Sequence, residues 1–323
     1  MQKRRVRRRR RQGCGCVAAL LLLILAAVAA FWAASRAVDL WGSLEQRTQL
    51  REALAKTFQE EPPSVQALLV TQLGEEAPLF AQGEQTPLPP ASLAKLFAVD
   101  YAAEMADLEE VVSVNAQALA LTKPGSSVAG ILPQDYFLHN LLAAMLVPSG
   151  NDAAYAVADY CGSLLSPQAG AGQERVESFL DHLGVYLQEE GYGETVLYDP
   201  SGFDLQAVTT AEDVKMVAER LLSHAWFREM VAQSSYTATL PDGSLQVWQN
   251  TNLLLDPTSE YYHGNVTGVK TGSLENCYNL VVLYEQGEQS FLVCILGATS
   301  NDARYQTAQQ ALAALEQILA PAA

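Results

Sequence analysis

The chain has 323 residues, 49% of them hydrophobic and 17% charged, which excludes a disordered or repeat protein and fits one large or two-lobed globular domain. Eight of its 20 Lys and Arg lie between Lys3 and Arg11 and all 36 acids follow, so the rest of the chain carries 12 − 36 = −24. A surface this acidic argues against nucleic-acid binding, which needs a basic face. A nucleic-acid tail is the minor alternative for the basic run.

An apolar segment follows the basic run. Val17–Ala34 has no charged or polar side chain, and Gly13–Cys16 extends the stretch to 22 residues. About 20 residues span a bilayer as a helix, and a basic flank stays cytoplasmic. We therefore predict a cytoplasmic tail (1–12), a single-pass transmembrane signal-anchor (13–35) in the cell membrane, and an extracytoplasmic remainder. The alternative is a signal peptide cleaved after Ala27-Val28-Ala29, which would release a secreted form.

The segments after the anchor follow strand and helix patterns in turn. Helix-type spacing predicts a juxtamembrane helical stalk within 36–63, which Pro62-Pro63 ends. Two strands, five helices, three strands and a closing helix are predicted after it. They are Val65–Leu73 and Ala77–Gln82; Ser92–Met105, Tyr136–Leu146, Asp152–Leu164, Arg175–Glu189 and Ala211–Leu222; Val266–Thr271, Asn279–Tyr284 and Ser290–Gly297; and Asp302–Leu319. A sheet drawn from both ends of the chain predicts an α+β, three-layer domain over 64–323.

Three short motifs carry the chemistry. Ser92-Leu93-Ala94-Lys95, Ser149-Gly150-Asn151 and Lys270-Thr271-Gly272 each occur once and in this order. We expect the first to open a helix, the second to lie in a loop between two helices, and the third to lie on a strand. This set in these contexts is typical of penicillin-recognising serine enzymes.

The spacing of the first motif suits nucleophilic catalysis. Lys95 follows Ser92 by one helical turn, so its amine can reach the Ser92 hydroxyl. Burial and the neighbouring cation Lys270 would lower the pKa of Lys95, and a neutral lysine is a usable general base. Ser149 can relay a proton to the leaving amine, and the backbone N–H groups of Ser92 and Ser273 can bind the oxyanion.

Longer segments carry a resemblance to a known family. They are Gly125-Ser126-Ser127, Leu146–Ala154, Tyr198–Phe203, Thr209–Asp213, Asn250–Leu254 and Gly268–Gly272. With these segments, the chain from about Val65 onward resembles the low-molecular-mass penicillin-binding proteins that are serine-type D-alanyl-D-alanine carboxypeptidases.

The resemblance implies a β-lactamase/DD-peptidase-like fold, in which helices flank an antiparallel sheet beside an all-helical lobe. It implies Ser92, Lys95, Ser149 and Asn151 as catalytic residues, and Lys270, Thr271, Gly272 and Ser273 as substrate-binding residues. The implied substrates are peptidoglycan stem peptides ending in D-Ala-D-Ala, with β-lactams as covalent inhibitors and no cofactor or metal.

Two departures from the family pattern stand out. Relatives often continue into a β-rich second domain and a C-terminal amphipathic anchor, whereas this chain ends after its last predicted helix, so we expect the N-terminal segment to be the tether. Ser273 follows Lys-Thr-Gly where some relatives carry a bulkier residue, which weakens any transfer of substrate detail.

Other functions remain as alternatives. A serine β-lactamase shares the three motifs but adds a carboxylate that activates water, and no Glu-x-x-x-Asn element follows Ser149. A DD-endopeptidase of the same fold and a non-catalytic wall-binding or sensor module are the others, although a binding module does not need the nucleophile and base together. The spacing of the four histidines disfavours a zinc peptidase, and we expect Cys161, Cys277 and Cys294 to be small buried residues without disulfides.

Overall fold

The computed structural model describes Trp32, Arg36 and residues 42–320. It divides into two compact units at Leu50 and Arg51, and the site discussed below lies in the second. A helix covers 42–60 (α1). The remaining helices are α2 (Ala94–Met105), α3 (Ala116–Leu119), α4 (Leu138–Leu146), α5 (Asn151–Leu165), α6 (Gln173–Glu189), α7 (Ala211–Leu222), α8 (Ala225–Val231) and α9 (Asn301–Leu319). The strands are β1 (Ala67–Gln72), β2 (Phe80–Gln82), β3 (Val111–Ser113), β4 (Asp135–Phe137), β5 (Ser235–Thr239), β6 (Leu245–Gln249), β7 (Val266–Leu274), β8 (Cys277–Gln286) and β9 (Gln289–Ala298).

A five-stranded sheet takes strands from both ends of the chain, as the sequence predicts. Its order is β2-β1-β9-β8-β7, and every neighbouring pair is antiparallel. The early strand β1 pairs with the late strand β9 from Ala67 opposite Leu296 to Gln72 opposite Phe291. This pairing closes the sheet and confirms the α+β fold.

Helices cover both faces of the sheet. Leu292, Cys294 and Leu296 on β9 belong to the main hydrophobic core, whereas Val293 and Ile295 are equally buried but point to the opposite face. The helix α7 packs on β1 and β9, while α9 packs on β8 and β9. Burial on both faces makes the central strands near-continuous apolar runs, which is why the sequence marks them clearly.

A helical lobe stands beside the sheet and is built from α2 to α6. The helices α5 and α6 pack together, and α2 packs on α4, α5, α6 and α7. The pattern missed the two ribbons β3–β4 and β5–β6 and the short helices α3 and α8. Each of these has only three to seven residues, too few for a periodic signal.

The N-terminal predictions meet the structure only in part. The second half of the predicted stalk belongs to the compact unit, because Leu54 is fully buried and the Phe58 ring lies 4.9 Å from that of Phe80. Among the residues described, no helix is long and apolar enough to cross a membrane. The predicted tail (1–12) and, except for Trp32, the predicted anchor (13–35) lie outside the described residues.

The cysteine prediction holds in most respects. Cys161, Cys277 and Cys294 are free thiols, and Cys161 and Cys294 are buried. Cys277 is half-buried, and its thiol lies 3.7 Å from the Pro89 carbonyl oxygen.

Candidate active site

Ser92 lies in a tight turn at the start of α2. A single 3₁₀ turn over Ala91–Leu93 runs directly into α2, and Ala91 has φ +47°, in the left-handed region that L-residues rarely adopt. The side chain of Asn279 on β8 donates to the carbonyls of Pro89 and Pro90, each at 2.9 Å. The sheet therefore fixes a strained turn that presents the Ser92 hydroxyl, as strained backbone at functional sites often does.

Lys95 is fully buried one turn beyond Ser92. Its Nζ lies 2.8 Å from Ser92 Oγ, 2.7 Å from Asn151 Oδ1 and 3.0 Å from the Ser201 carbonyl oxygen. Burial lowers the pKa of Lys95 to about 7, although the carboxylates of Asp199 and Asp152 act to raise it. A large share of Lys95 is therefore neutral at physiological pH, and its lone pair can accept the Ser92 proton.

The second motif brings Asn151, but not Ser149, into this hydrogen-bond network. Ser149 is 5% exposed, has φ +64° and lies in the loop between α4 and α5, as predicted. Within the described part of the chain, no hydrogen bond links its hydroxyl to Ser92 or Lys95. The proton relay through Ser149 stays a prediction.

Asp152, which sequence reasoning did not single out as a site residue, organises the loop next to the second motif. Its carboxylate accepts from the backbone N–H groups of Ala129, Gly130 and Ile131, each at 2.8 Å. The backbone N–H of Asn151 donates to the Ser127 carbonyl at 2.8 Å. The loop carrying Ser126 and Ser127 is thus held against the site, a role with no signal in sequence except the position of an acid next to the motif.

A second buried carboxylate, that of Asp199, holds the turn whose Ser201 carbonyl contacts Lys95. Asp199 accepts from the Ser201 N–H at 2.8 Å, from the Ser201 hydroxyl and from the Asp204 N–H at 2.7 Å. This turn aims the Ser201 carbonyl at Lys95. Gly202 in the same turn has φ +77°, and a Cβ there would lie 1.9 Å from the Ala91 carbonyl oxygen, so only glycine allows this turn to approach the turn that carries Ser92.

The third motif lies on β7, as predicted, and forms the other wall. Lys270 is 1% exposed and donates to the Thr271 carbonyl at 3.1 Å, and the hydroxyls of Thr271 and Thr251 are 2.6 Å apart. A Cβ at Gly272 would lie 3.0 Å from the Pro90 carbonyl oxygen, so this strand passes directly along the Ser92 turn. Ser273 is exposed and lines the cleft together with Ser92.

The balance of pKa effects differs from the sequence prediction. Burial lowers the pKa of Lys270 well below its ordinary value, and the cations Lys95 and Arg304 lower it further. For Lys95, burial is the cause that lowers the pKa, whereas the sequence argument named the neighbouring cation Lys270 beside burial. Desolvation depends on how completely the side chain is enclosed, which a motif does not reveal.

Arg304 on α9 is the main site residue that sequence reasoning missed. Its guanidinium is 5% exposed and donates through Nη1 to the carbonyls of Gly272 (2.9 Å) and Asn279 (3.0 Å) and to Ser273 Oγ (3.1 Å). Burial lowers the pKa of Arg304, yet guanidinium groups stay protonated in proteins. A fixed positive charge therefore lies beside the strand that carries the third motif.

These residues surround a small cleft. Its volume is about 80 Å³, and its lining consists of Ser92, Gly125, Ser126, Ser127, Asn151, Ser201, Gly202, Phe203 and Ser273. Ser92 and Ser273 line the cleft, the buried Lys95 amine lies 2.8 Å from the Ser92 hydroxyl, and the Arg304 guanidinium lies 3.1 Å from the Ser273 hydroxyl. That arrangement can acylate the serine with a small carbonyl substrate that carries an anionic group.

A serine activated by a buried lysine, beside an antiparallel sheet and a helical lobe, defines the class of serine DD-peptidases and β-lactamases. Within that class the chain belongs to the D-alanyl-D-alanine carboxypeptidase family, which matches residues 56–300.

Individual relatives agree with this family. The chain is 34% identical over 174 residues to the D-alanyl-D-alanine carboxypeptidase of Streptomyces sp. (strain K15), covering 52% of this chain and 56% of that protein. It is 29% identical over 241 residues to D-alanyl-D-alanine carboxypeptidase DacC of Escherichia coli (strain K12), covering 70% of this chain and 54% of the relative. The chain thus spans little more than half the length of either protein.

Solved structures agree on the fold. The crystal structure of the Streptomyces K15 DD-transpeptidase superposes with a TM-score of 0.68 at 23% identity, covering 79% of this chain and 98% of that one. Penicillin-binding protein D2 from Listeria monocytogenes, in its ampicillin-bound form, gives a TM-score of 0.62 at 20% identity, with 79% and 98% covered. The DD-peptidase fold is therefore confirmed.

Proposed function

We propose that the chain is a serine-type D-Ala-D-Ala carboxypeptidase that removes the terminal D-alanine of peptidoglycan stem peptides through an acyl-enzyme on Ser92. The observation that carries this proposal is the fully buried Lys95 amine, 2.8 Å from Ser92 Oγ with its pKa lowered to about 7. Membership of the D-alanyl-D-alanine carboxypeptidase family supports the same activity.

The contacts of Lys95 with Ser92 and Asn151 support a reaction in two steps, acylation and hydrolysis of the ester. Ser92 Oγ attacks the carbonyl carbon of the penultimate D-alanine while Lys95 takes the hydroxyl proton. The backbone N–H groups of Ser92 and Ser273 stabilise the oxyanion. The C–N bond then breaks as the departing D-alanine amine takes the proton that Lys95 accepted from Ser92, with Ser149 as the predicted relay, and Lys95 is neutral again. Water, deprotonated by Lys95, hydrolyses the ester and returns the proton to Ser92 Oγ. Asn151 holds Lys95 in place through its Oδ1.

The sheet wall supplies the preference for a free C-terminus. Arg304 lies 3.1 Å from Ser273 Oγ and places a permanent positive charge on that side of the cleft, while Thr271 offers a hydroxyl. A terminal carboxylate gains from such a cation, whereas an internal peptide bond has no charge to offer. This contrast favours carboxypeptidase over endopeptidase activity.

β-Lactams are proposed as covalent inhibitors rather than as substrates. Rapid hydrolysis of a penicilloyl ester needs a carboxylate that activates water. Asp199 acts on Lys95 from nearby, but both of its oxygens already accept hydrogen bonds within the 199–204 turn. We therefore expect the penicilloyl adduct on Ser92 to be long-lived.

Labelling with a penicillin tests this proposal. The wild type should gain the mass of one penicillin, Ser92→Ala should gain none, and the matched control Ser126→Ala, a serine of the same cleft, should still be labelled. The wild type should also release D-alanine from a peptide ending in D-Ala-D-Ala. Labelling of Ser92→Ala would contradict the assignment of the nucleophile.

A membrane location is part of the same proposal. The charge-free segment within 13–35 and the basic run before it support a single-pass anchor with the catalytic unit outside the cytoplasm. A phosphatase reporter that works only outside the cytoplasm, fused after Ala323, should be active. Activity of a cytoplasm-only reporter at the same position would contradict this topology.

A further inference from the structure

Thr251 joins the second and third motifs. Its backbone N–H donates to the Val147 carbonyl at 3.1 Å, two residues before Ser149. Its carbonyl accepts from the Tyr305 hydroxyl of α9 at 3.3 Å, and its own hydroxyl lies 2.6 Å from that of Thr271 on β7. Thr251 therefore contacts the end of α4, α9 and β7 at once, and the reaction proposed above gives its side chain no role.

The backbone around Thr251 is held without help from its hydroxyl. The next side chain, Asn252, is 1% exposed, accepts from the Leu254 N–H at 3.1 Å and donates to the Gly268 carbonyl at 3.3 Å. The two backbone hydrogen bonds of Thr251 add to this support. Its hydroxyl is therefore free to serve Thr271, and a substitution that removes only the hydroxyl leaves the backbone contacts in place.

The Thr271 hydroxyl lies on the side of β7 that borders the cleft. Side chains two positions apart on a strand point to the same face, and Ser273, two positions after Thr271, lines the cleft together with Ser92. Thr271 is 5% exposed, and among the described residues Thr251 Oγ1 is the one hydrogen-bond partner of its hydroxyl. The state of Thr271 is thus set by Thr251 and by whatever occupies the cleft.

The direction of the hydrogen bond between the two threonines decides what Thr271 can offer. A hydroxyl has one proton and two lone pairs, and a carboxylate only accepts hydrogen bonds. If Thr271 donates to Thr251, its own proton is used, and it presents only lone pairs to a carboxylate. If Thr251 donates to Thr271, the Thr271 proton is available to the cleft.

We propose that Thr251 is a positioning residue for the terminal carboxylate of the substrate: its hydroxyl donates to Thr271 Oγ1, and Thr271 in turn donates to the carboxylate. The inference rests on the carboxypeptidase activity proposed above and adds the residue that orients its carboxylate donor. Two hydroxyls in series that end on a charged acceptor strengthen each other's hydrogen bonds. Arg304 supplies charge on this side of the cleft, and the threonine pair supplies a directed donor.

Two matched peptides test the inference, one ending in D-Ala-D-Ala and one with that terminus amidated. Thr251→Val removes the hydroxyl and keeps the shape and backbone contacts of the residue. It should lower kcat/KM for the free terminus about three- to tenfold, the size of one hydrogen bond, and lower it much less for the amidated peptide. Thr251→Ser, which restores the hydroxyl, should bring kcat/KM for the free terminus back close to the wild-type value.

A double-mutant cycle separates positioning from direct contact with the substrate. Thr271→Val removes the donor itself and should lower kcat/KM for the free terminus more than Thr251→Val does. Adding Thr251→Val to Thr271→Val should cause no further loss, because Thr251 acts through Thr271. The matched control is Thr267→Val on the same strand, whose hydroxyl donates to Glu285 at 2.9 Å outside the cleft lining. It should keep the wild-type preference for the free terminus.

Three results would overturn the role of Thr251. They are an unchanged kcat/KM in Thr251→Val, equal losses on both peptides, and a loss that adds fully to that of Thr271→Val. Near-UV circular dichroism establishes that each variant is folded. Thr251→Ala, which removes the hydroxyl without placing a second methyl group beside Thr271, should give the same loss as Thr251→Val and replaces it if the valine disturbs the fold.

Failure of the proposed function gives a different result. The wild type would then release D-alanine from neither peptide, and a penicillin would not label Ser92. Cleavage of the free terminus at the same rate by the wild type and Thr251→Val, with normal labelling, would leave the carboxypeptidase assignment intact and remove only the role of Thr251.

Discussion

The two walls of the cleft are held in place by opposite chemistry. On the helical side, Asp152 and Asp199 accept hydrogen bonds from the backbone N–H groups of two loops. On the sheet side, Arg304 and Asn279 donate to backbone carbonyls of the nucleophile turn and of the strands β7 and β8.

Carboxylates hold one wall and hydrogen-bond donors hold the other because the two walls leave different backbone groups without a partner. Loops that turn sharply leave N–H groups unpaired, and a buried carboxylate satisfies several of them at once. On the sheet side the groups that need a partner are the carbonyls of Pro89, Pro90, Gly272 and Asn279, and an amide or a guanidinium satisfies them. Each wall therefore places one sign of charge next to Ser92, and the buried Lys95 lies on the anionic side.

Removing the Lys95 amine from the anionic wall should have the largest effect on the rate of acylation. In Lys95→Met, Ser92 loses its base, and we expect the rate constant of acylation to fall roughly 10²–10⁴-fold. Stopped-flow acylation by a chromogenic β-lactam measures it, with near-UV circular dichroism to establish that the fold persists. Acylation within threefold of the wild type would show that another group removes the proton.

Removing the Asp152 carboxylate, which holds the loop at residues 129–131, should lower the stability of the fold. Asp152→Ala leaves three loop N–H groups, two of them buried, without their acceptor, and we expect the free energy of unfolding to fall by about 1.5–3 kcal/mol. Urea denaturation at pH 7 measures the loss. Asp152→Asn, which keeps one acceptor oxygen, should lose less of the free energy of unfolding. Equal losses for the two variants would show that the hydrogen bonds of Asp152 do not stabilise the loop.

Asp152→Asn also isolates the effect of the Asp152 negative charge on Lys95, because it changes the charge and leaves the size of the side chain almost unchanged. Because Asp152 acts to raise the pKa of Lys95, its neutralisation should lower that pKa further and shift the acid limb of the acylation profile to lower pH. A shift to higher pH would contradict the electrostatic account of this wall.

Removing the fixed cation of the sheet wall should have a smaller, substrate-dependent effect. In Arg304→Met, we expect kcat/KM for a peptide ending in D-Ala-D-Ala to fall by about tenfold, because one charge-assisted contact is lost. The same peptide with its terminus amidated should lose much less. Lys270→Met provides the comparison, since its lowered pKa makes its amine the weaker source of positive charge. Equal losses on both peptides in Arg304→Met would mean that it does not recognise the carboxylate.

The motif residues of this site could be predicted from the sequence, but the residues that hold them in position, such as Arg304, could not. The motifs identify Ser92, Lys95, Asn151 and Lys270 because their spacing along one helix turn or one strand is local. Arg304 reaches the site from α9, 31 positions beyond Ser273, so no local pattern connects the two residues.

The fold was likewise predictable where a local sequence pattern marks an element, and not elsewhere. The strands β1 and β9 are apolar because both of their faces are buried, and their pattern is unmistakable. By contrast, the hairpin β5–β6 exposes Leu245 and Val247 and buries Trp248, so its pattern does not separate it from a loop.

The pH dependence of acylation tests the central claim most directly, that a buried, neutral Lys95 activates Ser92. Burial lowers the pKa of Lys95 to about 7, and the base is its deprotonated form. The rate constant for acylation by a penicillin should therefore fall about tenfold per pH unit below pH 7 and level off above it. A rate constant that is flat from pH 5 to 9, or that is still rising near pH 10 as expected of an ordinary lysine, would contradict the account.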